Sequence, residues 1–317
     1  MARIVSIGAA LQDVFFIDHD DFGTNQRGFL NQIKIGTKID IDNIKYSTGG
    51  GASNAATTFA RYGHESLFMG CITDDPAGAA ILASFDDEGI DNSYVTFIPN
   101  FNTGYSVILL APNGERTILT HRGASAKFDA INPDDLDNIH PDWIYVTTLR
   151  GNMNMLDQLF TKAHSIDAKV MFNPGNLELK HQRKMLGLLS DTDVLLLNKD
   201  EAKQIVEGNS LAEILARLSN YVPSAIVTDG NQGAIATDGI ETYRIGLYED
   251  VPIKDTTGAG DAFGSGFLAA YADDRNFKES LIFASANSTS VVQKIGSKAG
   301  IIGKHTKLHN MPIQEIR

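Results

Sequence analysis

The run "DTTGAGDAFGSGFLAAY", residues 255–271, places two aspartates, two threonines and four glycines at the start of an apolar, alanine-rich segment. The spacing predicts a helix from about Ala259, opened by residues with little or no side chain. Gly258, Ala259 and Gly260 leave peptide N–H groups unshielded where the helix dipole is positive, which suits an anion. Glycine also permits the φ angles that a nest of N–H groups needs. Asp261 lies one residue beyond. Taken alone, the run is also a sound capped helix with a glycine turn. Cradle and acid together match what phosphoryl transfer requires, namely donors around the developing charge and an acceptor for the hydroxyl proton. Neither the Lys-Ser/Thr of a Walker A loop nor a G-x-G-x-x-G dinucleotide turn is present in this run.

Outward from this run, short apolar stretches alternate with amphipathic ones. "RIVSIGA", "SLFMGCI", "DWIYVTT", "AKVMFNP", "DVLLLN" and "AIVTDG" read as strands. "SNAATTFARYG", "AGAAILASFDDEG" ending at Gly89, residues 153–165 and residues 181–188 read as helices. This alternation predicts an α/β fold, a mostly parallel sheet with helices on both faces. Strands such as "VLLL" are apolar on both sides, as a buried parallel sheet requires. Two segments break the rhythm, about 14–48 and 101–122. Both look like alternating strands, and "APNGER" carries an Asn-Gly turn signal. They read as one small β layer formed from two insertions, either a lid over the sheet end or an extra antiparallel edge. No flexible linker or repeat stands out, so residues 1–317 are expected to form one domain.

The chain has 27 Lys and Arg against 39 Asp and Glu, a formal charge of −12, which argues against a nucleic-acid partner. A local anion site remains compatible with that charge. The one cysteine, Cys71, excludes an intramolecular disulfide and reads as a buried structural thiol. The apolar runs are strand-length, and "MARIVSIGAA" lacks the pattern of a signal peptide, so no membrane association and a cytoplasmic location are expected.

"DTTGAGD" resembles the second signature of the PfkB, ribokinase-like family of carbohydrate and nucleoside kinases, and "TGGGASNAATTFARYG" resembles its first. The resemblance extends over nearly the whole chain and implies a three-layer αβα domain with a small β-sheet lid. It implies that Asp261 is the catalytic base and that Gly258, Ala259 and Gly260 form the anion hole for the γ-phosphoryl group of ATP. Asp13, Gly49, Gly50 and Asn54 would bind acceptor hydroxyls, the glycine pair also serving as the hinge of the lid. Asn198 and Glu201 in "LLNKDEAKQI" would support a Mg²⁺–phosphate network, partly through water. By residue chemistry alone, the same pair reads as a capping-box-like helix start. Thr228 and Gly230 in "VTDGNQGA", and Asn287 near the C-terminus, would contact the nucleotide. The same resemblance raises a K⁺ site at Asp255 and Thr257, completed by the segment holding Val291, Gly296 and Gly300, and a homodimer through the lid.

The acceptor is less legible. Arg150 stands where ribokinases carry an acidic residue. It could serve an acidic sugar or a sugar phosphate, or be a solvated surface residue. Asn173 in "FNPGN" ends another strand on the same crevice. Phe15, Phe16 and Phe101 could wall a nucleoside base or pack the small layer against the body. The expected reaction is transfer of the γ-phosphoryl group to a primary hydroxyl of a sugar, with a nucleoside or a sugar phosphate as alternative acceptors. A non-catalytic nucleotide-binding regulator is the reading from another class.

Overall fold

Along β1 (Arg3–Ile7), Val5 and Ile7 enter one apolar cluster and Ile4 enters another. The period-2 alternation of a strand buries both faces, so layers must cover each side. The computed structural model describes residues 1–17, 36, 38–110, 116–248 and 251–316. The main sheet combines β1 with β4 (Glu65–Ile72), β5 (Val95–Phe97), β8 (Trp143–Thr147), β9 (Lys169–Asn173) and β10 (Val194–Asn198). It continues through β11 (Ser224–Thr228), β12 (Ala234–Thr237), β13 (Thr242–Ile245) and β14 (Ile313–Ile316). Its order is β14-β13-β12-β11-β10-β9-β8-β1-β4-β5, parallel from β11 to β5 and antiparallel beyond.

One face is covered by α4 (Met153–Ser165), α6 (Gln182–Leu189) and α8 (Leu211–Leu218), through residues such as Phe160, Met185 and Ile214. The other carries α1 (Gly51–Tyr62), α9 (Ala259–Tyr271) and α10 (Phe277–Val292), through Phe59, Phe267 and Leu281. This is the three-layer α/β arrangement expected. Helix α2 (Pro76–Glu88) ends at Gly89, whose φ of 67° makes the left-handed cap.

A second sheet of four strands has the order β3-β2-β6-β7, with β2 (Leu11–Ile17), β3 (Asn43–Gly49), β6 (Tyr105–Leu110) and β7 (Arg116–His121). It draws on both segments that broke the sequence rhythm, though β2 begins at Leu11 rather than near 14. The Asn113-Gly114 turn signal lies outside the described residues. Ser47, Asp13, Ser106 and Thr120 form one row across this sheet, so their side chains share a face.

The carboxyl ends of the parallel strands carry the expected site residues. Thr147 pairs with Asn173, and Asn198 with Thr228, at the last positions of β8, β9, β10 and β11. Open α/β sheets place ligand crevices at this edge. Among the described residues, no helix is long and apolar enough to cross a membrane.

Candidate active site

Helix α9 starts at Ala259 with Gly258 as its N-cap residue, at φ 79°. A Cβ on Gly258 would lie 2.5 Å from that of Ser297, so only glycine fits there without displacement. The amides of Gly258 and Gly260 donate to no described acceptor, and that of Ala259 makes a long 3.3 Å bond to the Thr256 carbonyl. Ala259 and Gly260 border a cavity of about 280 Å³. The Gly260 amide thus lies at the cavity edge without a described partner.

Asp261 occupies the first turn of α9. Its Oδ2 accepts from the Asn54 side-chain amide at 2.8 Å, while the Asn54 carbonyl oxygen accepts from the Ser297 hydroxyl at 2.8 Å. Both ends of Asn54 are thus engaged. It holds the aspartate in place and keeps a second amide N–H. The other oxygen of Asp261, Oδ1, faces Gly51, which also borders Thr147. Burial raises the Asp261 pKa, and the Asn54 hydrogen bond opposes that rise.

Asp13 sits on the inner face of the small sheet, its Oδ2 only 2.0 Å from where a Gly49 Cβ would be. Gly49 is required by this close approach. Burial pushes the Asp13 carboxyl up to about 6, against a lowering hydrogen bond from Ser106 and the charge of Lys298. Lys298, which sequence reasoning passed over, is buried and donates to the hydroxyls of Thr48 at 2.8 Å and Ser53 at 2.7 Å. Burial brings its ammonium down to about 7. In "GSKAG" a lysine between small residues reads as a solvated turn, so no local signal marks it.

The 280 Å³ cavity is bordered by Thr228, Gly230, Tyr248, Phe263 and Thr289. Thr228 and Gly230 both line it. Asn287 does not: it is fully buried, its amide donates to the Ala262 carbonyl, and its carbonyl oxygen accepts from Ile302 N. Its place is the packing of α9 on α10, while Ser288 and Thr289 face the cavity. A polar pocket shares Thr228 and Gly230 and adds Asn198 and Glu201.

Asn198 and Glu201 make a reciprocal capping box at α7 (Lys199–Ile205), with both bonds 2.9 Å. The cap uses only Oε2 of Glu201, so Oε1 is left for water or metal. Among the described residues, no cluster of three metal-ligating side chains exists. Mg²⁺ keeps several waters and relies on substrate phosphates, so its binding does not need such a cluster. Asn173 donates to the Leu196 carbonyl at 3.0 Å, tying β9 to β10 at the crevice edge.

The residues expected to hold K⁺ do not fit an open cation site. Oδ1 of Asp255 accepts from the Thr257 amide and hydroxyl at 2.9 and 2.6 Å, and Oδ2 accepts from Gly296 N at 2.9 Å. The guanidinium of Arg116, from the small sheet, lies 4.0 Å from Oδ1 and donates to the Thr256 hydroxyl. Asp255 is a structural pin that accepts three hydrogen bonds and has a guanidinium beside it.

Phe15 is wholly buried, and Lys127 sits 4.4 Å over the Phe101 ring. Phe15 therefore packs structure rather than offering a base wall, whereas Phe101 is 43% exposed and Phe16 is half-buried. The Cys71 thiol is buried, donates to the Lys127 carbonyl at 3.2 Å and is pushed up to about 12, which makes it inert at neutral pH.

Residues 1–302 match the model of the pfkB family of carbohydrate kinases. The chain is 26% identical to a ribokinase of Bacillus subtilis over 257 residues, covering 80% of this chain and 84% of the relative. It superposes on Arabidopsis thaliana ribokinase complexed with ribose and ATP at a TM-score of 0.79, with 22% identity and 96% of each chain covered. A nucleoside kinase of Methanocaldococcus jannaschii gives a TM-score of 0.79 at 20% identity, again covering 96% of each chain. The whole-length match and the two signatures lead to one conclusion: the chain belongs to the pfkB family of carbohydrate kinases and is an ATP-dependent kinase with a hydroxyl acceptor.

Proposed function

We propose that this enzyme moves the γ-phosphoryl group of ATP to a primary hydroxyl of a sugar, with Asp261 as general base. The observation that carries the reading is the carboxylate of Asp261, held by Asn54 beside amides that open onto a cavity. As the acceptor oxygen bonds to phosphorus, its proton passes to Asp261 Oδ1. The bond from phosphorus to the bridging oxygen breaks, and ADP leaves with that electron pair. Amides of Gly258 and Gly260, fixed in place beforehand, take the charge that develops on the phosphoryl oxygens. Asp13 grips acceptor hydroxyls from the small sheet, which serves as the lid. Glu201, with Asn198, would hold Mg²⁺ through water, and the ion would supply charge neutralisation at the phosphates. Phe15 is committed to packing, which removes it as a wall for a nucleoside base.

A panel of sugars and nucleosides with ATP and Mg²⁺, read by ADP release, is the test. At least one primary alcohol should stimulate release well above background. Asp261→Asn should then lower kcat by about 10²–10⁴ while ATP binding persists. A panel with no active member, or an Asn variant with full turnover, would reject the reading.

A further inference from the structure

Two arginines at the acceptor end have no role in the chemistry above. Arg122 directly follows β7, two residues after Thr120 in the row that contains Asp13. Its carbonyl is fixed by the buried Ser125 hydroxyl at 2.6 Å. Arg150 follows the crevice end of β8, in "TTLRGN", and holds a left-handed φ of 58°.

That conformation is unfavourable for a residue with a long side chain, so the surroundings must enforce it. They do, through Glu178, a wholly buried carboxylate in α5 (Asn176–Leu179). Its oxygens accept from the Thr148 hydroxyl at 2.8 Å, Gly151 N at 2.7 Å and Gly175 N at 2.9 Å. Arg150 N closes the turn on the Thr148 hydroxyl at 3.1 Å. The guanidinium is carried on a rigid loop, which a merely solvated arginine does not need.

Both side chains are exposed, and neither makes a side-chain hydrogen bond or ion pair with any described residue. The loop after Arg150 is tied to the segment after Arg122, where Asn152 donates its side-chain amide to Asp129 at 2.6 Å. Partial burial and the Arg150 charge press the Arg122 pKa down, while Asp13 pulls it up. In a chain of net charge −12, two cations that form no ion pair with a described residue, Asp13 being the carboxylate that acts on Arg122, make a positive spot. A crevice wall of low dielectric concentrates such a field on whatever enters.

We infer that the acceptor carries an anionic group, a phosphate ester or a carboxylate, and that Arg122 and Arg150 grip it while the opposite hydroxyl faces Asp261. This rests on the sugar-kinase reading and narrows its substrate class. Guanidinium groups match both anions through paired N–H donors. Asp13 then reads the hydroxyls between the two ends, and the arginine pair selects against neutral sugars.

The test uses matched pairs that each keep a primary hydroxyl: fructose with fructose 6-phosphate, and glucose with gluconate. Binding is measured by calorimetry on Asp261→Asn, where turnover does not interfere, and kcat/KM is measured on the wild-type enzyme. One anionic member should bind more tightly than its neutral partner by about 100-fold or more, two charged contacts each contributing about 10- to 100-fold. The phosphate and carboxylate arms identify which anion is read. Arg122→Gln and Arg150→Asn, the latter tolerant of the left-handed backbone, should each lower that preference by about 10- to 100-fold, mostly through KM. If neither anion outbinds its neutral partner, or if both substitutions leave the preference intact, the inference falls. Turnover of a neutral sugar with no such preference would overturn it while leaving the kinase reading in place.

Discussion

Asp13 carries a prediction that separates binding from chemistry. Its carboxyl ordinarily titrates at 3.8 and here at about 6, because burial disfavours the charge. Between those values the folded chain retains a proton that the unfolded chain has lost. Stability contributed by this group therefore falls as pH rises through that window, by about 3 kcal/mol in total. Urea unfolding of wild type and Asp13→Asn at pH 4 and pH 7.5 should show the difference, since the variant lacks this component. Activity runs the other way, because hydroxyls are gripped by the ionised carboxylate. The acid limb of kcat/KM for the acceptor should fall about tenfold per pH unit below pH 6, and Asp13→Asn should remove that limb with a raised KM. A limb unmoved by the substitution would assign it to another group. The residue scale is also where the sequence was most and least readable. Asp261 and Gly258 lie within one helix start, where capping and dipole rules are local. Lys298 and Glu178 owe their roles to partners 245 and 27 positions away, at Ser53 and Gly151, which no local pattern encodes.

Among the elements, β7 reaches furthest, because Arg116 at its start touches the segment before α9. Its Nε is buried without a hydrogen-bond partner, beside the Asp255 carboxylate that pins Thr257 and Gly296. Arg116→Met would leave Asp255 as a buried charge without its cation, a disruptive change for a group so enclosed. Faster amide exchange across residues 255–260 should follow, with kcat lowered about tenfold or more. If exchange and kcat both match wild type, the small sheet and the anion hole are not coupled by this contact. Helix α4 was legible because its buried residues recur every 3.6 positions, and β10 because a short run apolar on both faces suits a buried parallel strand. Helix α1 begins at Gly51, earlier than the Ser53 suggested by propensity, because packing against β1 and α9 outweighs the helix penalty of glycine. Strands β13 and β14 escaped the reading. Each has four residues with one charge among them, and only pairing along the sheet edge defines them.

Over the whole molecule, the two-sheet arrangement leaves one face of the small sheet incompletely covered. Tyr46, Val14, Val107 and Leu119 form a row across it, and Ile44 and Tyr105 lie two residues along the same face. Tyr46 is 67% exposed and Leu119 is 60% exposed, which is unusual for apolar side chains clustered on one surface. A second copy presenting the same face would cover both by two-fold symmetry, since a self-complementary patch closes into a dimer. Association there would also stiffen the sheet that carries Asp13 and Arg116, linking assembly to acceptor binding. Sedimentation at micromolar concentration should therefore give twice the 34.4 kDa of a single chain. The double substitution Tyr46→Lys with Leu119→Lys should return the 34.4 kDa species, still folded by circular dichroism. KM for the acceptor should rise as the partner is lost, while the ATP cavity, bordered by α9 and α10, should keep its affinity. A wild-type chain that sediments as a monomer, or a lysine variant that remains dimeric, would remove this face from the account of assembly.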